Sequence, residues 1–258
     1  MHLQLTQTID VAQLVFAAFV LFFVCLIFYL RREDRREGYP LEDEVTGRVE
    51  TIGGPLHTAP TKSFKLPFGH GTVTAPTKGR EPVNIAARRT DRFAGAPYAP
   101  TGDPLVDGIG PAAFAERAKR PDLDWEGHAR IVPISVAGDF HIVGRDPDPR
   151  GMTVIGADGA VAGKVTDIWI DRADRLIRYI EVEVEGTVGK HVLLPMTMSK
   201  VNRRRHQVVT DSINAAQFAN APVIEAKDSI TLYEEDRVQG YFGGGYLYAN
   251  RNRQEPFL

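Results

Sequence analysis

Val11 to Leu30 is a run of 20 residues with no charged side chain and a single polar group, Gln13. As a helix rising about 1.5 Å per residue it covers roughly 30 Å, the depth of a bilayer's hydrocarbon core. A core helix of a soluble protein seldom runs this long without a polar face. A cleaved signal peptide would have a shorter apolar stretch, basic residues ahead of it and a small-residue cleavage site behind it. Here the first ten residues contain no Lys or Arg, and Arg31, Arg32, Arg35 and Arg36 follow the run at once. One-sided arginines orient a span with its basic flank in the cytoplasm. The expectation is a single-pass protein with residues 1–10 periplasmic, a helix over 11–30 and everything later cytoplasmic. Tyr29 falls where an interfacial aromatic anchor belongs. Arg31, Arg32, Arg35, Arg36 and Tyr39 form a candidate contact with anionic lipid head groups. An ordinary stop-transfer flank explains the same residues equally well.

The net charge of −2 gives no basic field for nucleic acid. The one cysteine, Cys25, lies inside the apolar run, so neither an intrachain disulfide nor a CxxC metal knuckle can form. The run contains no histidine, and a helix that ligates a haem or chlorophyll normally offers an imidazole at membrane depth. It reads as an anchor.

Residues 31–110 read as an extended, Pro/Gly-rich surface segment, with breakers such as Gly53-Gly54-Pro55, Pro67, Gly69-His70-Gly71, Pro76 and Pro82. From Gly38 onward that density leaves no room for a helix. Brief alternation occurs only at Phe64-Lys65-Leu66 and Thr72-Val73-Thr74. The stretch is either a disordered linker or a strip ordered against another protein. Tyr39, Leu41, Phe64, Phe68, Phe93 and Tyr98 favour the strip, because linkers are poorer in aromatic residues.

Residues 111–245 read as a mainly β domain with short helices, followed by a tail over 246–258. Pro111 to Ala118 is expected as a short helix with Pro in its first turn. Residues 129–136 read as a strand interrupted by Pro133. Asp158-Gly159 marks a turn, and Val161 to Ile170 alternates as a strand. Ile180 to Glu185 alternates strictly, with one apolar and one acidic face. His191 to Leu194 and a hairpin over 200–209 complete five or six short antiparallel strands, the makings of a small barrel or sandwich. Asp211 or Ser212 is expected to cap a helix over 213–219. Thr231 and Glu234 have capping-box spacing, opening a helix expected to reach Phe242 and stop at Gly243.

Catalytic signatures are sparse. The sequence contains no HExxH, GxSxG or P-loop, and Gly243-Gly244-Gly245 follows a helix where a phosphate loop would precede one. Asp124, Glu126 and His128 lie at spacing two, so on an extended strand they share a face, able to collect protons or hold a divalent cation. The plain alternative is a solvated edge. Asp171 and Asp174, with Arg172, Arg175 and Arg178 nearby, form a second acidic cluster, which on local grounds reads first as a charged hairpin turn.

Several segments together carry a family likeness. They include Arg31-Arg-Glu-Asp-Arg-Arg-Glu-Gly-Tyr-Pro-Leu41 directly after the span, Ala162-Gly-Lys-Val-Thr-Asp-Ile-Trp-Ile-Asp171, Arg178-Tyr-Ile-Glu-Val-Glu-Val184, Ile230-Thr-Leu-Tyr-Glu-Glu-Asp-Arg-Val238 and Gly244-Gly-Tyr-Leu-Tyr-Ala249. Spread over the whole chain, they resemble the H subunits of purple-bacterial photosynthetic reaction centres, and the 154–210 meander resembles the PRC-barrel. The resemblance implies a single transmembrane helix, a strip lying along the complex and a small antiparallel cytoplasmic barrel. It implies a non-catalytic subunit in the intracytoplasmic membrane that caps the L and M subunits, shields the quinones and helps deliver protons to the secondary quinone. Bacteriochlorophyll, bacteriopheophytin, quinones and non-haem iron would then sit on partner subunits, with none bound by this chain. Light-harvesting 1 polypeptides and a cytochrome subunit belong to the expected assembly. In some relatives an acid and two histidines at the positions of Asp124 to His128 take up protons and bind inhibitory divalent metals. Glu126 replaces one of those histidines here. Asp171 and Asp174 match the neighbourhood of a carboxylate near the secondary quinone, and Arg178 matches its charged neighbour. The alternative is a membrane-anchored PRC-barrel adaptor of another complex.

Overall fold

The structure, a computed structural model, describes residues 10–39, 41, 43, 45–46, 48, 59–76 and 84–254. Residues 1–9 of the expected periplasmic tail over 1–10, parts of the Pro/Gly-rich segment and the last four residues lie outside them. The chain divides into two compact units, Met1–Val83 with Asp91–Ala96, and Asn84–Thr90 with Pro97–Leu258.

In the first unit, helix α1 spans Val11–Glu33, one turn beyond the expected end. Asp10 starts it by accepting from the Ala12 amide. Arg31 and Arg32 occupy its last turn, where their charge complements the helix dipole. None of its residues is buried, and Leu14, Phe16, Leu21, Phe22 and Ile27 are exposed on its flanks. Apolar surface on every side of a helix long enough to cross a bilayer requires lipid or partner helices around it. Strands β1 (Lys62–Lys65) and β2 (Thr72–Ala75) form a hairpin from the two alternating patches, turning through Pro67–Gly69. Arg36 ties this hairpin to the helix end, gripping Glu33 through both carboxylate oxygens and donating to the carbonyls of Pro60 and Ala75 at 2.6 and 2.8 Å. Lys62 adds a 3.0 Å contact to Glu33.

The second unit begins with a small hairpin of β3 (Ala87–Arg89) and β4 (Tyr98–Pro100). A one-turn helix α2, Pro104–Asp107, follows, within a stretch expected to hold no helix. Asp103 caps it, Pro104 occupies its first position, and Gly108 (φ +67°) ends it in the left-handed region.

The main sheet has seven strands. These are β5 (Ile131–Pro133), β6 (Thr153–Ile155), β7 (Val161–Asp171), β8 (Leu176–Val184), β9 (His191–Pro195), β10 (Ser199–Asn202) and β11 (Gln207–Thr210). Their order is β10-β11-β6-β7-β8-β9, with β5 also paired to β7. Every pair is antiparallel except β11 with β6, which is parallel; the expected meander therefore contains one parallel join. The long strand β7 holds the sheet together. One end pairs with β6 and the other with β5, while β8 runs along its opposite edge. Two irregularities interrupt the β7–β8 register, while side chains alternate between the faces along Ile168 to Ile170. Trp169 then joins a core with Tyr179, Val182, Leu194 and Phe242, whereas Ile168 and Ile170 join a second core with Val132 and Ile134.

Four expectations about local structure need correction. Residues 111–118 do not form a helix; only Gly110–Ala112 makes a 3-10 turn. The amides and carbonyls beyond it are engaged elsewhere. The Ala115 amide donates to Asp236, and the carbonyls of Ala118 and Arg120 accept from Tyr233 and Leu232. The segment expected to be a helix over 213–219 is a 3-10 helix, Ala215–Asn220, capped by Asn214 with Gln217 and not by Asp211 or Ser212. The strand over 129–136 is cut to β5 and a 3-10 turn, Ile134–Val136, at Pro133. Helix α3 opens with the Thr231–Glu234 capping box but runs Leu232–Tyr248, straight through the glycines expected to end it. Those glycines permit close approach: a Cβ on Gly244 would lie 2.4 Å from that of Ala112, and one on Gly245 2.4 Å from Ile213 Cγ2.

Candidate functional site

Asp122 and Arg130 stand at the root of a short returning loop. Leu123 bridges Ala129, and the Arg130 amide donates to the Asp122 carbonyl at 2.9 Å. Asp124 builds the tip by accepting from the amides of Glu126 and His128, both at 2.9 Å, the usual use of an aspartate in a tight turn. The three tip residues therefore do not share a face by alternating along a strand, as their spacing suggested. The chain turns, and the turn gathers them. His128 Nδ1 lies 3.5 Å from Glu126 and 3.8 Å from Asp124, and one ligand atom from each falls within 4.8 Å of the others. The His128 amide bond is the chief reason that the Asp124 carboxyl is held below its ordinary range. Trp125 projects from the tip, 85% exposed.

The second cluster lies where β7 ends. Asp171 is fully buried. It accepts from Arg130 Nε at 3.0–3.1 Å, from Arg178 Nε at 3.2 Å, and from the amides of Ala173 and Asp174. The β5–β7 register, Ile131 opposite Asp171, brings Arg130 here. Burial pushes the Asp171 carboxyl up. The Arg130 hydrogen bond, the Asp174 amide and the two guanidinium charges outweigh burial and hold it below the usual carboxylate range. The Asp171 bond likewise holds the Arg130 guanidinium more firmly protonated. Asp174 remains half-exposed, accepting from Arg130 Nη2 at 2.6 Å with Arg178 4.0 Å away. The two aspartates thus share arginines in unlike settings. Arg130 also reaches Asp122 at 3.4 Å, so this one side chain joins the root of the outer loop to the inner cluster.

Glu235 completes the set from the first turn of α3. Burial raises its carboxyl, against the opposing pull of Arg178, a Tyr179 hydrogen bond and Arg117. Burial also raises the Tyr179 phenol, whose oxygen accepts from Gln239 at 3.1 Å. Sequence reasoning passed over Asp122, Arg130 and Glu235. Arg130 precedes a recognisable strand, but its partners lie 41 and 44 residues onward. Glu235 looks like one more helix-start acid until α3 is packed on β8.

At the membrane end, the five candidate head-group residues divide. Arg36 has its donors committed within the chain, and Arg35 is buried with its guanidinium 5.3 Å from the Tyr39 ring. Arg31 is the exposed member, 3.7 Å from Asp34, and Arg32 is half-buried.

Comparison with known families gives two matches. Residues 3–136, more than half of the chain, match the family described as the photosynthetic reaction centre H-chain N-terminal region, and residues 142–217 match the PRC-barrel domain.

Proposed function

Since the chain belongs to the H-chain family of photosynthetic reaction centres, we propose that it caps the cytoplasmic face of the pigment-bearing L and M subunits and feeds protons toward the secondary quinone. In that role the chain is a non-catalytic subunit, and pigments, quinones and iron stay on its partners. Helix α1 anchors it, with the amino terminus periplasmic. Arg31 and Arg32 face anionic head groups, while Arg36 locks the membrane end of the chain.

Protons are collected at Asp124, Glu126 and His128, since paired acids and an imidazole exchange protons readily at a surface. They pass by way of Asp122 and Asp174 toward Glu235. Asp171 does not carry them. A carboxylate held ionised by Arg130 and Arg178 serves to fix those arginines in place. The observation that carries the reading is the half-buried Glu235 carboxyl at the start of α3, raised above its ordinary value by burial beside Arg178, because acids with perturbed affinities for a proton cluster at functional sites.

The test is flash-induced absorbance of assembled reaction centres, following the second electron transfer to the secondary quinone. Glu235→Gln and Asp174→Asn are expected to slow it, Glu235→Gln by about a hundredfold, the lower end of what a positioned acid–base group contributes. Initial charge separation should be unchanged. If both variants match wild type from about pH 6 to 9, the chain only caps and stabilises.

A further inference from the structure

A groove of about 520 Å³ lies between the β7–β9 face of the sheet, the 3-10 turn at Ile134–Val136 and residues 223–227. The proton-delivery reading makes no use of it. Its volume lies in the range of built ligand sites.

The groove's floor is acidic. Asp167 and Glu181 face each other across β7 and β8 and both line the groove. Like charges placed opposite in an antiparallel pair destabilise it, so this pair favours a cation above it. Glu181 is firmly held: its Oε2 accepts from the indole N–H of buried Trp169 at 2.9 Å, and its Oε1 lies 2.8 Å from His191 Nδ1. Glu225 adds a third acid to the lining, against a single lysine, Lys227.

Val136, Leu193, Val223 and Ile224 supply the groove's apolar lining, with Val136 and Val223 exposed. Among the described residues strand β9 ends the sheet order, and its first residue, His191, lies at the groove. The outer wall is fixed, because the Glu225 amide donates to Glu234 Oε1 at 2.7 Å while Glu234 Oε2 closes the cap of α3. A groove already shaped in this way spares a ligand the cost of ordering it.

We propose that the groove receives an extended segment of a partner protein that presents an arginine or lysine between apolar residues. The cation sits over Asp167 and Glu181, and its apolar neighbours pack on the exposed Val136 and Val223.

Trp169 reports occupancy directly. The chain has two tryptophans, and Trp125→Phe leaves Trp169 as the only one, read by excitation beyond the tyrosine band. The full-length Trp125→Phe chain in detergent is titrated with three probes: acetyl-Leu-Arg-Leu-amide, acetyl-Leu-Gln-Leu-amide and N-ethylguanidinium. A saturable change in Trp169 emission is expected with the arginine peptide and not with the other two. Glu181→Gln keeps an acceptor for the indole and should weaken peptide binding about tenfold, equivalent to about 1.4 kcal/mol. Asp167→Asn should act in the same direction, and Lys227→Glu, at the rim, should strengthen binding. The proposal fails if the arginine peptide gives no saturable change, if either control probe matches it, or if Lys227→Glu leaves its affinity unchanged or weaker.

Discussion

Replacing Arg130 by methionine removes the strongest partner of a fully buried carboxylate. Arg130 contacts three acids, but Asp122 and Asp174 are about half-exposed, and pairs of that kind contribute little after solvent screening. The cost is therefore concentrated at Asp171. Stripping the only partner from a buried ion costs about 3–5 kcal/mol. Here Arg178 Nε and the amides of Ala173 and Asp174 remain. The expected loss falls to about 2–3 kcal/mol, near the value of one charged hydrogen bond at a buried site. The sign with pH follows from the same geometry. In the native chain the depressed Asp171 carboxyl contributes stability above its unfolded value of 3.8, and that stability is lost as pH falls through the lower folded value. Without Arg130 the opposing effect of burial raises the folded value, so the gap between variant and wild type should narrow as pH falls toward 3.8. Urea unfolding of the full-length Trp125→Phe chain in detergent, followed by Trp169 emission, measures this. The double variant Arg130→Met/Asp171→Asn should regain part of the loss, since no charge is then stranded. A loss below about 1 kcal/mol at neutral pH, or a double variant less stable than Arg130→Met, would refute the reasoning.

Two further outcomes follow from the packing of α3. Glu235 has a raised carboxyl, so its ionisation costs folding free energy as pH climbs from the unfolded value of 4.5 through the higher folded one; Glu235→Gln should flatten stability across that window and equal or exceed wild type above it, as read by thermal melts at several pH values. Gly244→Ala should destabilise by about 1–2 kcal/mol, because the clash with Ala112, 2.4 Å away, outweighs the better helix propensity; an unchanged melting temperature would show that residues 110–113 yield freely.

Legibility from sequence followed the range of the interactions. The apolar run, the Thr231 capping box and the alternating strand β8 depend on neighbours within a few positions, and each formed where expected. The helix expected over 111–118 failed because its backbone partners lie on α3, more than 100 residues away. The triple glycine was misread for a related reason. Glycine ends helices by its own conformational freedom, but here it removes side chains that would strike Ala112 and Ile213, and nothing local announces such a neighbour. At the candidate site, Asp124, Glu126 and His128 were found through spacing, although the structure gathers them by a turn. Arg130 and Glu235 gain their character from register and burial, which only the assembled sheet and α3 supply.

The loop from Asp122 to Arg130 is closed mainly on itself. At its tip Asp124 bonds to the amides of Glu126 and His128, whereas its root is the guanidinium that clamps Asp171. Such a loop is an exchangeable cartridge. Glu126 and His128 contact only other residues of the tip, so they can be replaced without disturbing the sheet, whereas Asp124 holds the turn. The plug that seats the cartridge is Arg130, and a graft of the tip onto another chain of this kind should keep its chemistry only where that arginine travels with it.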